Sequence, residues 1–331
     1  MKTLAFTCGD INGIGPEICI KSINKIYKPG RRKIILLCPA DVFEQAASVS
    51  KPSFDYFILK ENKPIPEKSQ EVVIIDIGKS SQNRGVPSRQ SGLIAFKAIS
   101  LAFEMCRSKS ADAMITAPVS KKAFHLANIN YPGQTELLAD LAGSKKFMML
   151  FLSKMFICGL CTIHQPIKNV SRLISRKSVQ SFIQILFDSL VKDLGIPNPR
   201  IAVLGLNPHS GEDGNIGREE IQSIIPAIKS FVNGAVDGPM VPDAFFANRL
   251  YNKYDAVLGM YHDQVLIPFK MMNFNTGVNF TAGIQVIRTS PDHGTAFDIS
   301  GKGIADPSSM IEAVKWAEKI LANRRKISNA R

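Results

Sequence analysis

The sequence lacks an apolar run long enough to cross a bilayer. Its most apolar stretch, residues 147–163, carries Lys154 near its middle and falls short of the roughly 20 residues a spanning helix needs. The opening MKTLAFTCGD is broken by Gly9-Asp10 after a few residues, and no small-residue cleavage site follows, so no export signal is expected. Cysteine is sparse: Cys8, Cys19, Cys38, Cys106, Cys158 and Cys161 are scattered without the density of a disulfide scaffold. Only Cys158 and Cys161 have C-x-x-C spacing. On a strand, residues three apart face opposite sides and cannot clamp one ion, so both read as buried small hydrophobes. The expectation is a reduced, cytoplasmic protein with no membrane partner.

Charge of one sign is also short. Against 41 basic residues stand 28 acidic ones, a formal net charge of +13. No basic run interleaved with aromatics and no nucleic-acid motif accompanies it, which speaks against a nucleic-acid partner. Arg324, Arg325, Lys326 and Arg331 read as a solvated tail beyond the last helix. A basic surface would favour an anionic small molecule without requiring one. The apolar share of 45% and charged share of 21% are those of a soluble globular protein. A chain of 331 residues fits one large or two medium domains.

Short apolar runs alternate with amphipathic segments, which predicts an α/β sheet with covering helices. Residues 2–8, 33–38, 72–75, 113–117, 201–206 and 256–260 read as strands. Gly15-Pro16-Glu17 opens a helix, with proline at the first helical position. Residues 178–194 place Ile183, Leu186, Phe187, Leu190 and Leu194 on one face, stopped by Gly195. Asp306-Pro307 caps a last helix with the stripe Met310, Val314, Ala317 and Leu321. No linker rich in glycine, serine or proline divides the chain, and no internal repeat is present.

Three of the five histidines share one context. His164 follows the run MFICGLCTI, His209 follows IAVLGL within Asn207-Pro208-His209-Ser210-Gly211, and His262 follows AVLGMY. In open α/β sheets, ligands gather outside the carboxyl ends of strands. Three imidazoles there suit zinc, cobalt or nickel and leave coordination positions open for substrate. The alternative is three unrelated loop residues. Asp243 and Asp263 are candidates for orienting a ligand or acting as a base.

The turn at residues 9–17 joins a strand to a helix, but Ile18 stands where the third glycine of G-x-G-x-x-G belongs, and it is no Walker A loop. It reads either as a tight structural turn or as a close backbone approach to a ligand. Late in the chain, Lys270, Asn279 and Arg288 lie among apolar runs. If brought together they would suit a phosphate; scattered, they are ordinary surface residues.

Several long segments taken in order resemble one family: GDINGIGPE (9–17), TAPVSK (116–121), NPHSGEDGNIGREE (207–220), YHDQ (261–264) and GVNFTAGIQVIRTSPDHGTAFDISGKG (277–303). The family is 4-hydroxythreonine-4-phosphate dehydrogenase of vitamin B6 biosynthesis, and the resemblance runs nearly end to end. It implies metal ligation by His164, His209 and His262, and substrate contacts from position 134, Thr135, Lys270, Asn279 and Arg288. The segment His293-Gly294-Thr295-Ala296 resembles the adenine-side loop of isocitrate and isopropylmalate dehydrogenases. That likeness implies two α/β/α domains around a cleft, residues 1–133 plus 282–331 and residues 134–281. NAD or NADP would bind without a Rossmann unit. The second domain would carry the metal ligands and the interface of a homodimer with a shared active site. One divalent ion is implied, zinc first, with cobalt, magnesium or manganese as alternatives.

The implied reaction is oxidation of 4-(phosphooxy)-L-threonine to 2-amino-3-oxo-4-(phosphooxy)butanoate, which decarboxylates to 3-amino-2-oxopropyl phosphate. Asp243 and Asp263 are the candidates for taking the hydroxyl proton. Two departures bear on the substrate. The family commonly has Gly-His-Thr-Glu where this chain has Gly133-Gln134-Thr135-Glu136, and Pro-Ala where it has Ile11-Asn12. Glutamine still donates and accepts hydrogen bonds but carries no charge. Another four-carbon phosphorylated acid, such as D-threonate or D-erythronate 4-phosphate, is therefore the alternative substrate. A metal-dependent phosphohydrolase and a non-catalytic ligand-binding protein are the readings from other classes.

Overall fold

The computed structural model describes residues 1–61, 63–65 and 72–329. Five strands come first: β1 (Lys2–Thr7), β2 (Arg32–Leu37), β3 (Tyr56–Lys60), β4 (Val72–Asp76) and β5 (Ala113–Thr116). Then follow β6 (Met148–Leu152), β7 (Cys158–Leu160), β8 (Arg200–Leu204), β9 (Ala235–Met240), β10 (Ala256–Gly259) and β11 (Val278–Ala282). The last strand is β12 (Arg288–Pro291). The chain forms two compact units, Met1–Gly143 with Gln285–Glu318 and Ser144–Ile284 with Lys319–Arg331.

In the first unit the strand order is β3-β4-β2-β1-β5-β12, and every pairing is parallel. β5 is buried along its whole length, and β4 along all but its last residue. A parallel strand buried to that degree needs cover on both faces. Helices of this unit have local causes. Pro16 and Glu17 start the helix Gly15–Ile26, and a reciprocal Ser88–Ser91 capping box starts Arg89–Arg107.

The second unit orders its strands β11-β6-β7-β10-β8-β9. The β11–β6 and β6–β7 pairings are antiparallel, whereas β7–β10, β10–β8 and β8–β9 are parallel. The interrupted apolar run of residues 147–163 is thus the β6–β7 hairpin. Ser153 makes its turn: the hydroxyl accepts from the Met155 and Phe156 amides and donates to the Phe156 carbonyl. Helix Arg176–Lys192, opened by a Ser175–Ser178 capping box, packs on β6, β10 and β11. Helix His262–Asn273 packs on β7 and β10.

Two expectations change. The units divide at 143/144, 284/285 and 318/319, where the expectation was 133/134 and 281/282; helix Gln134–Leu141 is tied to the first unit through Gln134 Nε2 and the Ala117 carbonyl. The last helix also runs on from Ser308 to Asn329, so Arg324, Arg325 and Lys326 lie within it. Arg324 is no tail residue: its Nε donates to Asp193 Oδ1 at 2.6 Å. Arg331 lies outside the described residues. Cys158 and Cys161 are buried free thiols. No helix among the described residues is long and apolar enough to cross a membrane.

Asp193 is 4% exposed and accepts from Ser189 Oγ as well as from Arg324. Removing the guanidinium would leave that carboxylate buried without its cation. Arg324→Ala should therefore lower unfolding stability by about 2–3 kcal/mol, read as an earlier midpoint in urea. An unchanged midpoint would show that Asp193 needs no counter-charge.

Candidate functional site

The strands β7, β10 and β8 are parallel neighbours, and each runs at its carboxyl end into one of the three histidines. Adjacent strands lie about 4.8 Å apart, so the outer two ends are separated by only about 10 Å. The sheet order therefore delivers His164, His262 and His209 to the same end of the same unit.

His164 and His262 come together. Their ring centroids are 6.1 Å apart, and both line an open cleft of about 230 Å³ with Thr162, Gln165, Ile167, Tyr261 and Asp263. Pairing between β7 and β10 continues past the strands to hold them. The Cys161 amide donates to the Gly259 carbonyl, and the Thr162 hydroxyl donates to the Met260 carbonyl at 2.8 Å. His262 opens its helix with Nδ1 2.6 Å from Asp263 Oδ1. A carboxylate at Nδ1 places the proton there and leaves the Nε2 lone pair for an electrophile. Asp263 is thus occupied in orienting His262. Asp243, on helix Pro242–Ala247 after β9, is exposed and makes no hydrogen bond or ion pair among the described residues.

His209 is held differently. It begins five consecutive residues with left-handed backbone, His209, Ser210, Gly211, Glu212 and Asp213 (φ 50, 51, 85, 45 and 49°). His164 is left-handed too, at φ 48°. Outside glycine this conformation costs roughly 1–2 kcal/mol per residue, so the turn persists only because its surroundings determine it. Glu220, 1% exposed, does most of that. Its carboxylate accepts from the amides of Leu206 and Asn207, both at 2.8 Å, and from Asn207 Nδ2 at 2.9 Å. Asn207 Nδ2 also donates to Glu219, whose pKa is lowered by hydrogen bonds from Ser171 and Asn207. A Cβ on Gly211 would sit 2.7 Å from Glu220 Oε2, so only glycine fits there. Gln264 then ties the His262 and His209 segments together: its Oε1 accepts from the Met260 amide and its Nε2 donates to the Gly205 carbonyl.

Thr162, Asn207, Glu220 and Gln264 do not stand out in the sequence. Buried acids and amides next to Gly-Pro-rich loops were the available signal, but their partners are backbone groups, which a sequence does not display. Among the described residues no three His, Cys, Asp or Glu side chains stand together as a ready metal cage. The donor types nevertheless suit a divalent ion: two imidazoles at an open cleft, one of them backed by a carboxylate, with a third at the neighbouring strand end.

The expected substrate residues fall into two groups. Gln134, Thr135 and Arg288 belong to the first unit. Arg288 is 2% exposed, and its Nε donates to Thr116 Oγ1 at 2.9 Å. Burial pushes its pKa down to about 9 while nearby Glu136 opposes the shift, so the guanidinium is still cationic at neutral pH. Gln134 and Thr135 open the helix beside the carboxyl end of β5, both buried. Lys270 and Asn279 belong to the second unit, on helix His262–Asn273 and on β11; Lys270 is exposed, and Asn279 has a buried Oδ1 with no hydrogen-bond partner.

Residues His293, Gly294, Thr295 and Ala296 form a loop after β12 that packs on the glycine-rich turn. The Ile14 amide donates to the Thr295 carbonyl at 2.9 Å. A Cβ on Gly13 would lie 2.6 Å from that same oxygen, so the glycine serves backbone-to-backbone packing. Asn12, fully buried, fastens a third segment to the turn: Nδ2 donates to the Val86 carbonyl and Ser88 Oγ, and Oδ1 accepts from the Asn83 amide. Asp10 beneath it accepts from the Asn12 amide and Ser91 Oγ, and burial raises its pKa against those bonds.

A family model described as pyridoxal phosphate biosynthetic protein PdxA matches residues 31–317. A relative from Prosthecochloris aestuarii named 4-hydroxythreonine-4-phosphate dehydrogenase is 38% identical over 333 residues, spanning 98% of each chain. The crystal structure of 4-hydroxythreonine-4-phosphate dehydrogenase from Klebsiella pneumoniae superposes with a TM-score of 0.83 at 35% identity, covering 97% of this chain and 98% of that one. Isocitrate dehydrogenase from Methylococcus capsulatus, at 16% identity and a TM-score of 0.50 over 100% of this chain and 89% of its own, shares the fold alone. An α/β architecture of the isocitrate dehydrogenase kind, expected from the sequence, is therefore what the chain has. The match along most of its length, with the histidine-bearing strand ends just described, makes this chain a member of the pyridoxal phosphate biosynthetic protein PdxA family.

Proposed function

We propose that the protein is a dehydrogenase that oxidises 4-(phosphooxy)-L-threonine to 2-amino-3-oxo-4-(phosphooxy)butanoate, with NAD or NADP as oxidant. The product, a β-keto acid, loses CO2 to give 3-amino-2-oxopropyl phosphate. The observation that carries this reading is the order β7-β10-β8, which sends three histidines to one end of one sheet, in a chain whose relatives carry that activity in their names.

His164, His209 and His262 would hold a divalent ion, zinc by its preference for imidazole. Such an ion supplies an electrophile that lowers the pKa of a hydroxyl and steadies developing negative charge, and the nicotinamide supplies the hydride acceptor. The loop of His293, Gly294, Thr295 and Ala296 is the nucleotide-side element. Of the candidate substrate contacts, Arg288 and Thr135 in the first unit offer a cation and a hydroxyl, and Lys270 and Asn279 in the second offer a cation and an amide, the kinds of group a phosphate takes. Asp263 orients His262; Asp243, uncommitted to any bond, is the candidate base for the hydroxyl proton. Gln134 favours keeping a second substrate in view, another four-carbon acid phosphate such as D-threonate or D-erythronate 4-phosphate.

Helix His262–Asn273 also points to a homodimer. Ile267, Met271 and, just past its end, Phe274 are 58%, 82% and 77% exposed at the spacing of one helical face. A stripe of that kind is a docking face for a second copy, and it shares its helix with His262.

Formation of NADH with 4-(phosphooxy)-L-threonine tests the assignment directly. Activity should vanish in the chelator-stripped protein and return with zinc or cobalt. His209→Ala should lower metal affinity and kcat/KM together; full activity in rigorously metal-free buffer would remove the histidines from the mechanism. Glu220→Gln should weaken metal binding by about 10–100-fold with the first unit unaffected, and wild-type affinity would mean the left-handed turn holds without its carboxylate. Arg288→Ala should raise KM for the phosphorylated substrate by more than about tenfold. An equal loss with the unphosphorylated alcohol would argue against a phosphate contact.

A further inference from the structure

Helix Gly15–Ile26 carries a largely buried ion pair that the chemistry above does not use. Lys21 Nζ donates to Glu17 Oε1 at 2.8 Å, four residues apart on one helical face, and Glu17 is only 5% exposed. Taking two charges out of water is costly unless their remaining hydrogen-bond sites are filled. One short segment fills them. Lys21 Nζ also donates to the Gly303 carbonyl at 2.8 Å and the Ala305 carbonyl at 2.9 Å, which uses all three of its N–H bonds. Glu17 accepts from the Ala305 amide at 2.9 Å through Oε1 and from the Gly303 amide at 3.3 Å through Oε2. The two side chains thus take both backbone groups of both residues, as a neighbouring strand would.

The clamped residues end a longer segment that the same helix holds from its start. The Ile14 amide donates to the Thr295 carbonyl, and Ser300 Oγ donates to the Gly13 carbonyl at 3.0 Å. Glu17 and Lys21 then fasten positions 303 and 305. Left alone, this segment would not keep one shape. Ala296 has left-handed backbone at φ 41°, which persists only where its surroundings determine it, and glycines such as Gly301 and Gly303 lose more freedom on ordering than any other residue. The loop is also approachable, since a Cβ on Gly294 would meet nothing within 4 Å.

We propose that Glu17 and Lys21 are positioning residues for the nicotinamide cofactor, fixing the far end of the 293–305 segment in its binding shape before the cofactor arrives. This role rests on the dehydrogenase reading, in which His293, Gly294, Thr295 and Ala296 form the nucleotide-side loop. A segment ordered during folding binds more tightly than one that must be ordered on binding, because the loss of backbone freedom no longer opposes association. Neither side chain needs to touch the cofactor.

The test measures binding of NADH and NADPH to the full-length protein by fluorescence titration, apart from turnover. Glu17→Gln combined with Lys21→Met removes both charges together and leaves no buried ion without its partner. In this double variant the dissociation constant of the cofactor that the wild type binds should rise by about 10–100-fold. Amides of residues 295–305 should also exchange with deuterium faster than in the wild type. A clamp that serves stability alone would lower the urea midpoint and leave the dissociation constant of the still-folded variant unchanged, and that result overturns the proposal. The wild type supplies a measurement that does not depend on the variant folding. Its Gly303 and Ala305 amides should exchange slowly before any cofactor is added; exchange at the rate of an open loop would show that the segment is not held beforehand, and overturns the proposal too. A wild type that binds neither NADH nor NADPH sinks the dehydrogenase reading and this role with it, whereas an unchanged dissociation constant in the variant sinks the role of Glu17 and Lys21 alone.

Discussion

The site depends on how the open ends of three parallel strands are closed. Where β7, β10 and β8 stop, their backbone groups lose their ladder partners and must find others, because buried amides and carbonyls without partners are costly. Gln264 closes one gap by bonding the Met260 amide and the Gly205 carbonyl. Glu220 closes another by accepting two consecutive amides, Leu206 and Asn207. Thr162 closes the third on the Met260 carbonyl. Each of these side chains lies within a few residues of a histidine or holds the segment that carries one. Satisfying the backbone and placing the imidazoles are therefore the same set of bonds.

That coupling explains why strain is tolerated at His164 and His209. A left-handed residue other than glycine relaxes unless its flanks are fixed. At His209 the flank is fixed by a carboxylate with 1% exposure, where hydrogen bonds from amides are strong because water does not compete. The same low exposure excludes a larger residue at Gly211, whose added carbon would meet Glu220 Oε2. Loop shape, buried acid and glycine form one constraint, and the histidine stands at its exposed end.

How much of this a reader of the sequence can see depends on whether a feature is local. Runs such as IAVLGL and AVLGMY announce strands, and a histidine just beyond each announces a strand end. The neighbour relation of β7, β10 and β8 is not local: nothing in residues 158–160 states that 256–259 lie beside them. The left-handed turn at 209–213 is hidden for a second reason. Gly211 is its one glycine; His209, Ser210, Glu212 and Asp213 follow a flank, Leu206-Asn207, that is bonded to Glu220, seven residues beyond Asp213. Arg324 looks solvated in the sequence because it lies in a run of basic residues near the chain end, whereas its partner Asp193 lies 131 positions earlier. Helix Gln134–Leu141 is tied to the first unit in a like way, by a side-chain bond from Gln134 to Ala117.

Within the first unit the polar residues follow the opposite rule from the histidines. Arg288, Gln134 and Thr135 are 2%, 9% and 3% exposed, whereas His164 and His209 are exposed and His262 is half-buried. At low exposure a polar group interacts in a weakly screened place, where an unmade hydrogen bond is costly. The charge of Arg288 thus lies where it is weakly screened, and the three imidazoles lie nearer to water. The three histidines lie beyond the carboxyl ends of their strands, whereas Arg288 is the first residue of β12 and Gln134 opens the helix held to the end of β5.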